Sequence, residues 1–317
     1  MLTEIILNQV LILGVLVAIG VAGSFSGVLN ENARETLAKI IFNITLPVML
    51  LTTFSKMDLT PRLLVNSFSM VGLSVGVMLF MLLMGWLGSL ILRLNRSESA
   101  VFRTHSVFGN IIYLGFPVVH ALFGDEGLLY ASMLHLVSNM LMWTVGVVIL
   151  SSGNGTPARK SMMNIFNINT YAIIIGLIMF LTGLKLPDFL MKSLGGLGNS
   201  NTYLSMIYIG VMMFHSNIKG TLGKPVVYFL TFNKLLVIPI ALLIIFSFLP
   251  VLIGYQPDKL VISVLLIETS MPCMANIIIL AKVFGADEKL ATANVFVSTI
   301  LSLVTLPFML YLMSKML

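Results

Sequence analysis

Polar residues able to grip a charged ligand gather in two short stretches of an otherwise apolar chain. The first is GNIIYLGFPVVHALFG, residues 109–124, with Asn110, Gly115 and Pro117. The second is IETSMPCMANIIILAKVFG, residues 267–285, with Glu268, Thr269, Ser270, Pro272 and Asn276. Proline inside a helix removes a hydrogen bond and clashes with the preceding turn. In hydrocarbon the freed carbonyls find no water, so a break belongs in the protein interior or beside a cavity. Gly115 lets the chain open just before Pro117, and proline suits the first position of a new half-helix. The N–H groups and dipole of such a half-helix can hold a carboxylate without a fully buried cation. Asn110, seven residues before Pro117, falls about two turns earlier on the same side. The spacing predicts breaks at Pro117 and Pro272 and a polar, dipole-rich crossing at mid-membrane. Pro47 and Pro239, alone in their apolar runs, read as plain kinks.

Glu268 is the only carboxylate deep inside an apolar run, and an intramembrane acid is a functional hypothesis by default. It can carry a proton, ligate Na⁺, pair with Arg103 or His105, or sit protonated as a bystander. His105, His120, His135 and His215 share no metal-ligand spacing, so no metal site is expected. His135 and Asn139, four residues apart, share a helix face, but packing is the simpler role for His135. Asp125-Glu126 and Asp287-Glu288 open the helices that follow each break, where acids complement the dipole. Cys273, the single cysteine, allows no internal disulfide. It should fall in the first turn of the half-helix after Pro272, beside a wet cavity, unless it is packed as a small hydrophobe.

The elements that must position these residues are membrane helices. Of 317 residues, 58% are hydrophobic and 9% charged, with mean hydropathy +1.04, against about 25% charged in a soluble domain. Ten-residue alternating segments, the mark of a membrane β-barrel, are absent. Apolar runs give ten spans near 5–26, 36–55, 64–92, 101–122, 126–150, 168–186, 201–218, 225–249, 259–281 and 288–313. The first residues lack the basic segment of a cleaved signal, so the first span is expected to be retained. The net charge of +6 is spread over short loops rather than gathered on one face, which argues against a nucleic-acid partner. With the N-terminus outside, inner loops and flanks hold twelve Lys and Arg residues, Arg159, Lys160, Lys219, Lys224 and Lys234 among them, and outer ones six. That bias places both termini outside.

The longest polar connection divides the chain into 1–150, a cytoplasmic linker 151–167, and 168–317. Both halves carry a proline inside a span, then Phe-Gly and an Asp-Glu pair, then a new helix. Five spans per half, an odd number, force the second copy upside down. Inverted repeats with interrupted spans in matching positions point to a secondary transporter. The fold class expected is an all-α polytopic membrane protein of ten helices in two inverted five-helix repeats, with helices four and nine broken and crossing.

The chain resembles the auxin efflux carrier family, in particular its small bacterial, organic-acid permease-like members. The likeness is carried by Gly109-Asn110, Gly115, Pro117 and Phe123-Gly124, by Asn139 with Trp143-Thr144, by Met271-Pro272, Ala281-Lys282 and the closing helix 288–313. The resemblance implies a scaffold part and a transport part that slide past each other like an elevator. It also implies that Asn110 and Asn139 match asparagines that contact a carboxylate in the plant members. The long cytosolic loop of those plant carriers is absent from this chain.

Together these readings predict a secondary transporter of a small organic carboxylate in a cell inner membrane. Its binding residues would be Asn110, Gly115, Pro117, Asn139, Ser270, Pro272 and Asn276. Glu268 would serve ion coupling, with no cofactor beyond Na⁺ or H⁺. Partners would be the carboxylate, the bilayer and, in a homodimer, a second copy. The rival readings are a transporter-like sensor and a channel for small anions. An enzyme is disfavoured by the lack of HExxH or paired aspartates, and an ATP-driven pump by the lack of a phosphate-binding loop.

Overall fold

The computed structural model describes residues 2–152, 166–215, 221–254 and 256–316, and among these the regular structure is helical. The helices are α1 (Leu2–Phe25), α2 (Glu31–Ile40), α3 (Leu46–Lys56), α4 (Pro61–Ile91), α5 (Arg96–Val107), α6 (Phe116–Leu141, two pieces joined at a non-helical kink at Gly124) and α7 (Val147–Ser151). They continue as α8 (Ile168–Thr182), α9 (Asp188–Phe214), α10 (Pro225–Phe232), α11 (Ile238–Ile253), α12 (Lys259–Thr269), α13 (Asn276–Phe284) and α14 (Glu288–Met316). Among the described residues, five helical stretches are long and apolar enough to cross a membrane: Glu31–Lys56, Pro61–Ile91, Ile111–Ser151, Pro225–Phe248 and Glu288–Met316. Most of the linker expected at 151–167, and the expected inner charges Arg159, Lys160 and Lys219, lie outside the described residues.

The chain forms two compact units, one of residues 1–70, 112–133 and 166–215, the other of 71–111, 134–165 and 216–317. Each unit takes segments from both halves of the sequence. In the first, α1 and α9 approach closely at glycines. A Cβ on Gly20 would strike the Ile207 carbonyl, and one on Gly210 the Val17 carbonyl. Small residues at such contacts let membrane helices pack backbone to backbone where no hydrophobic driving force separates helix from lipid. Inside the same unit Thr45 donates to the Asn201 side chain at 2.8 Å, a buried polar tie between the turn before α3 and α9.

In the second unit α4 meets α5 at Gly85, where a Cβ would come within 2.7 Å of Ser106 Cβ and 3.3 Å of Arg103 Cα. The ends of α5, α10 and α14 are tied by Lys224, whose ammonium lies 3.0 Å from Glu98 and 3.4 Å from Asp287. The hydrogen bond that the Lys224 ammonium donates to Glu98 holds its pKa above the ordinary lysine range.

Three wide, π-type turns, Ile41–Thr45, Ile111–Gly115 and Asn233–Val237, each precede a helix whose second residue is proline: Pro47, Pro117 and Pro239. The cause is common to all three. A proline ring clashes with the carbonyl four residues back, and taking one more residue into the turn moves that carbonyl aside. This corrects the expected break at Pro117. The helix stops at Val107 instead, leaves helical geometry over Phe108–Asn110, and resumes before Gly115, which lies within the wide turn. Pro117 thus has the local structure of Pro47 and Pro239.

Candidate functional site

The two interruptions cross inside the second unit. Gly109 and Cys273 form an isolated antiparallel bridge. The Asn110 N–H donates to the Pro272 carbonyl at 2.8 Å, and the Met274 N–H donates to the Phe108 carbonyl at 3.2 Å. Two strand-like pieces therefore satisfy part of each other's backbone, as polar groups far from water must. Gly109 is required by the fit, since a Cβ there would lie 3.1 Å from Met271 Cβ and 3.4 Å from the Glu268 and Met271 carbonyl oxygens. From α14, the Ser298 hydroxyl accepts the Cys273 N–H at 3.0 Å.

Lys234 was expected as an inner-flank charge. It is instead fully buried, and its ammonium donates to the Ser106 and Val107 carbonyls at 3.2 and 3.1 Å. These are the last carbonyls of α5, left without helical partners because the chain stops there. A cation at a helix C-terminus also offsets the negative end of the dipole. Lys234 is the residue the sequence reading missed. Its place nine residues into an apolar run was the available signal.

Glu268 occupies the last turn of α12, is 3% exposed, and neither carboxylate oxygen has a hydrogen-bond donor among the described residues. Neither expected pairing partner reaches it. Arg103 Nε donates to Ser89 Oγ at 2.9 Å. The His105 ring lies between the Asn294 amide, 3.3 Å from Nδ1, and the Met274 carbonyl, 3.4 Å from Nε2. This environment selects the tautomer with hydrogen on Nε2. Lys234 is the charged group whose field reaches Glu268.

The other candidates divide. Asn110 is buried at the crossing itself. Asn139, near the end of α6, accepts from the Trp143 indole at 3.1 Å, which fixes its carbonyl toward Trp143 and its NH₂ away. Ser270 and Thr269 donate their hydroxyls to the Leu266 carbonyl at 2.7 and 2.8 Å, toward α12. Asn276 opens α13, whose N-cap, Ala275, supplies no side-chain hydrogen bond. Gly115 and Pro117 belong to the first compact unit, whereas the crossing belongs to the second. Cys273 lies in the bridge rather than in a helical turn and is fully buried, against the expected wet first turn.

A fold of membrane-length apolar helices around a buried polar crossing narrows the class of protein, and comparison with known sequences settles the family. Residues 5–310 match the model of a family of membrane transport proteins. The chain belongs to this auxin efflux carrier-like family. It is 26% identical to an uncharacterized transporter of Methanocaldococcus jannaschii, over 95% of this chain and 96% of that one. A second uncharacterized transporter, from Methanothermobacter thermautotrophicus, is 27% identical over 92% and 93% of the two chains. The uncharacterized transporter YfdV of Escherichia coli K12 is 22% identical over 93% and 95%. Membership of the family makes this a multi-pass membrane protein and points to transport rather than enzymatic chemistry.

Proposed function

We propose that this family member is a secondary active transporter of a small organic carboxylate across a cell inner membrane. The anion binds at the crossing, with Asn110, Asn139 and Asn276 donating, and Ser270 joining once its hydroxyl turns from Leu266. Glu268 couples transport to H⁺ or Na⁺. The observation that carries the reading is the antiparallel meeting of Phe108–Asn110 with Pro272–Met274 beside a buried acid and a buried base. Irregular backbone at membrane depth is costly unless it lines a site. A carboxylate beside the negative end of α12, with no donor of its own, is suited to taking up a cation.

The reading includes ten spans in two inverted five-helix repeats and both termini outside. The Lys and Arg bias to the inner loops persists without Lys234. An elevator mechanism, in which one body carries the site, is consistent with a chain that condenses into two units.

Uptake into proteoliposomes tests it. A small mono- or dicarboxylate should accumulate with saturation, driven by a pH or Na⁺ gradient, and Asn110→Ala or Asn139→Ala should weaken binding about fivefold or more. Neither flux nor a thermal shift with any carboxylate, in protein shown to be folded, would overturn the reading.

A further inference from the structure

Outside the crossing, the second unit carries a cavity of about 430 Å³ lined by Leu79, Leu82, Leu83 and Trp86 of α4, Val145 and Ile149 beyond α6, and Arg103 of α5. Leu79, Leu83 and Trp86 are 56, 50 and 47% exposed, so the furrow opens outward from the helices. Its floor is apolar along two turns of α4, about 10 Å from Leu79 to Trp86. Its one charged lining residue is Arg103.

Arg103 sits against the last turns of a membrane-length helix, its Cα beside Gly85 and its Nε bonded to Ser89. No carboxylate among the described residues forms an ion pair with it. A half-buried guanidinium at this level needs an anion, because the desolvation cost of an unpaired charge is high. Its terminal NH₂ groups present the planar fork that suits phosphate.

We propose that this furrow binds an anionic phospholipid, with the phosphate on the Arg103 fork and one acyl chain along Leu79, Leu83, Trp86 and Val145. The combination decides the occupant. A zwitterionic lipid would fill the floor but bring no net charge to Arg103, and a soluble anion would leave the apolar floor wet. Trp86, amphipathic and part-exposed, stands where tryptophan favours the headgroup boundary, and basic pockets between membrane helices hold anionic headgroups. The site is independent of the carboxylate reading and requires only that the chain spans a bilayer.

Native mass spectrometry of the purified full chain, titrated with dioleoyl phosphatidylglycerol or dioleoyl phosphatidylcholine, tests it. Wild type should retain one phosphatidylglycerol about five- to tenfold more tightly than phosphatidylcholine. Arg103→Gln should erase that preference, and Arg103→Lys should keep part of it. Val145→Trp, which fills the furrow at an exposed position, should lower retention of both lipids and stands as the second test if Arg103→Gln does not fold. Undiminished phosphatidylglycerol preference in Arg103→Gln, or unchanged retention in Val145→Trp, overturns the proposal. Full competition by glycerophosphoglycerol, the headgroup alone, also overturns it in favour of a soluble anion.

Discussion

Phe108–Asn110 and Ser270–Ala275 leave the helix at the same crossing by different means. The first is three residues long and contains no proline. It ends because Gly109 allows contact with Met271, and because Lys234 takes over the two carbonyls that α5 abandons. The second is longer and contains Pro272, which accepts from Asn110 through its carbonyl and has no N–H to leave unmet. Its next N–H, from Cys273, goes to Ser298. One break is thus stabilised by a buried cation, the other by a proline and a hydroxyl. The place of a break is set by what receives the released backbone groups, and proline is only one way to arrange that.

If the first break depends on Lys234, removing the ammonium should be the most damaging change at the crossing. Lys234→Met leaves two buried carbonyls unsatisfied at about 1–3 kcal/mol each, partly offset because the cost of burying a charge is relieved. The expected result is a large fall in melting temperature together with loss of transport. A variant as stable as wild type would mean that water, rather than Lys234, can serve those carbonyls.

Gly109→Val tests the contact instead of the charge. A Cβ placed 3.1 Å from Met271 Cβ and carrying two further methyls overpacks the bridge, at a cost of about 1–3 kcal/mol. Gly109→Ala should cost less, because its single methyl makes one tight contact, at 3.1 Å to Met271 Cβ, and adds no branches beyond it. Equal stability of all three, by thermal unfolding in detergent, would show that the bridge is loose.

Glu268→Gln sharpens the comparison from the second break. It conserves shape and removes the ionisable group, so stability should change by less than about 1 kcal/mol while dependence on a pH or Na⁺ gradient disappears. Concentrative uptake with unchanged ion dependence would remove Glu268 from coupling. Cys273 in the same break should resist a small polar maleimide, since it is fully buried. Rapid labelling would mean that the crossing opens to water in another state.

Much of this was legible in the sequence. Composition and run length gave an all-helical membrane protein, and the polar residues around Pro272 located the second break. The first was misplaced because proline is the loudest local signal, whereas Gly109 acts through a neighbour 162 residues away in sequence, Met271. Lys234 was misread for a similar reason. A lone lysine is ordinarily a loop or flank charge, and only the carbonyls of Ser106 and Val107, more than a hundred residues earlier, explain its burial inside a span. Local rules report what a residue cannot do; which partner compensates is a tertiary fact.

The smallest expected effect falls on the residue that first suggested a break. Pro117 follows a wide turn as Pro47 and Pro239 do, so Pro117→Ala should behave as Pro47→Ala and Pro239→Ala do. Each substitution restores an N–H that the helix can use, but loosens the unfolded chain by about 0.4–1 kcal/mol. The two terms oppose each other, and the net change should stay under about 1 kcal/mol, with transport retained in all three. Pro272→Ala is the contrast, because its new N–H would sit in the non-helical stretch of the crossing, where no helical carbonyl stands ready for it. Measured side by side, the four variants should separate into three mild ones and one that impairs transport. A Pro117→Ala variant that folds at the wild-type temperature yet loses transport would give that proline a role in the moving protein that its wide turn does not explain.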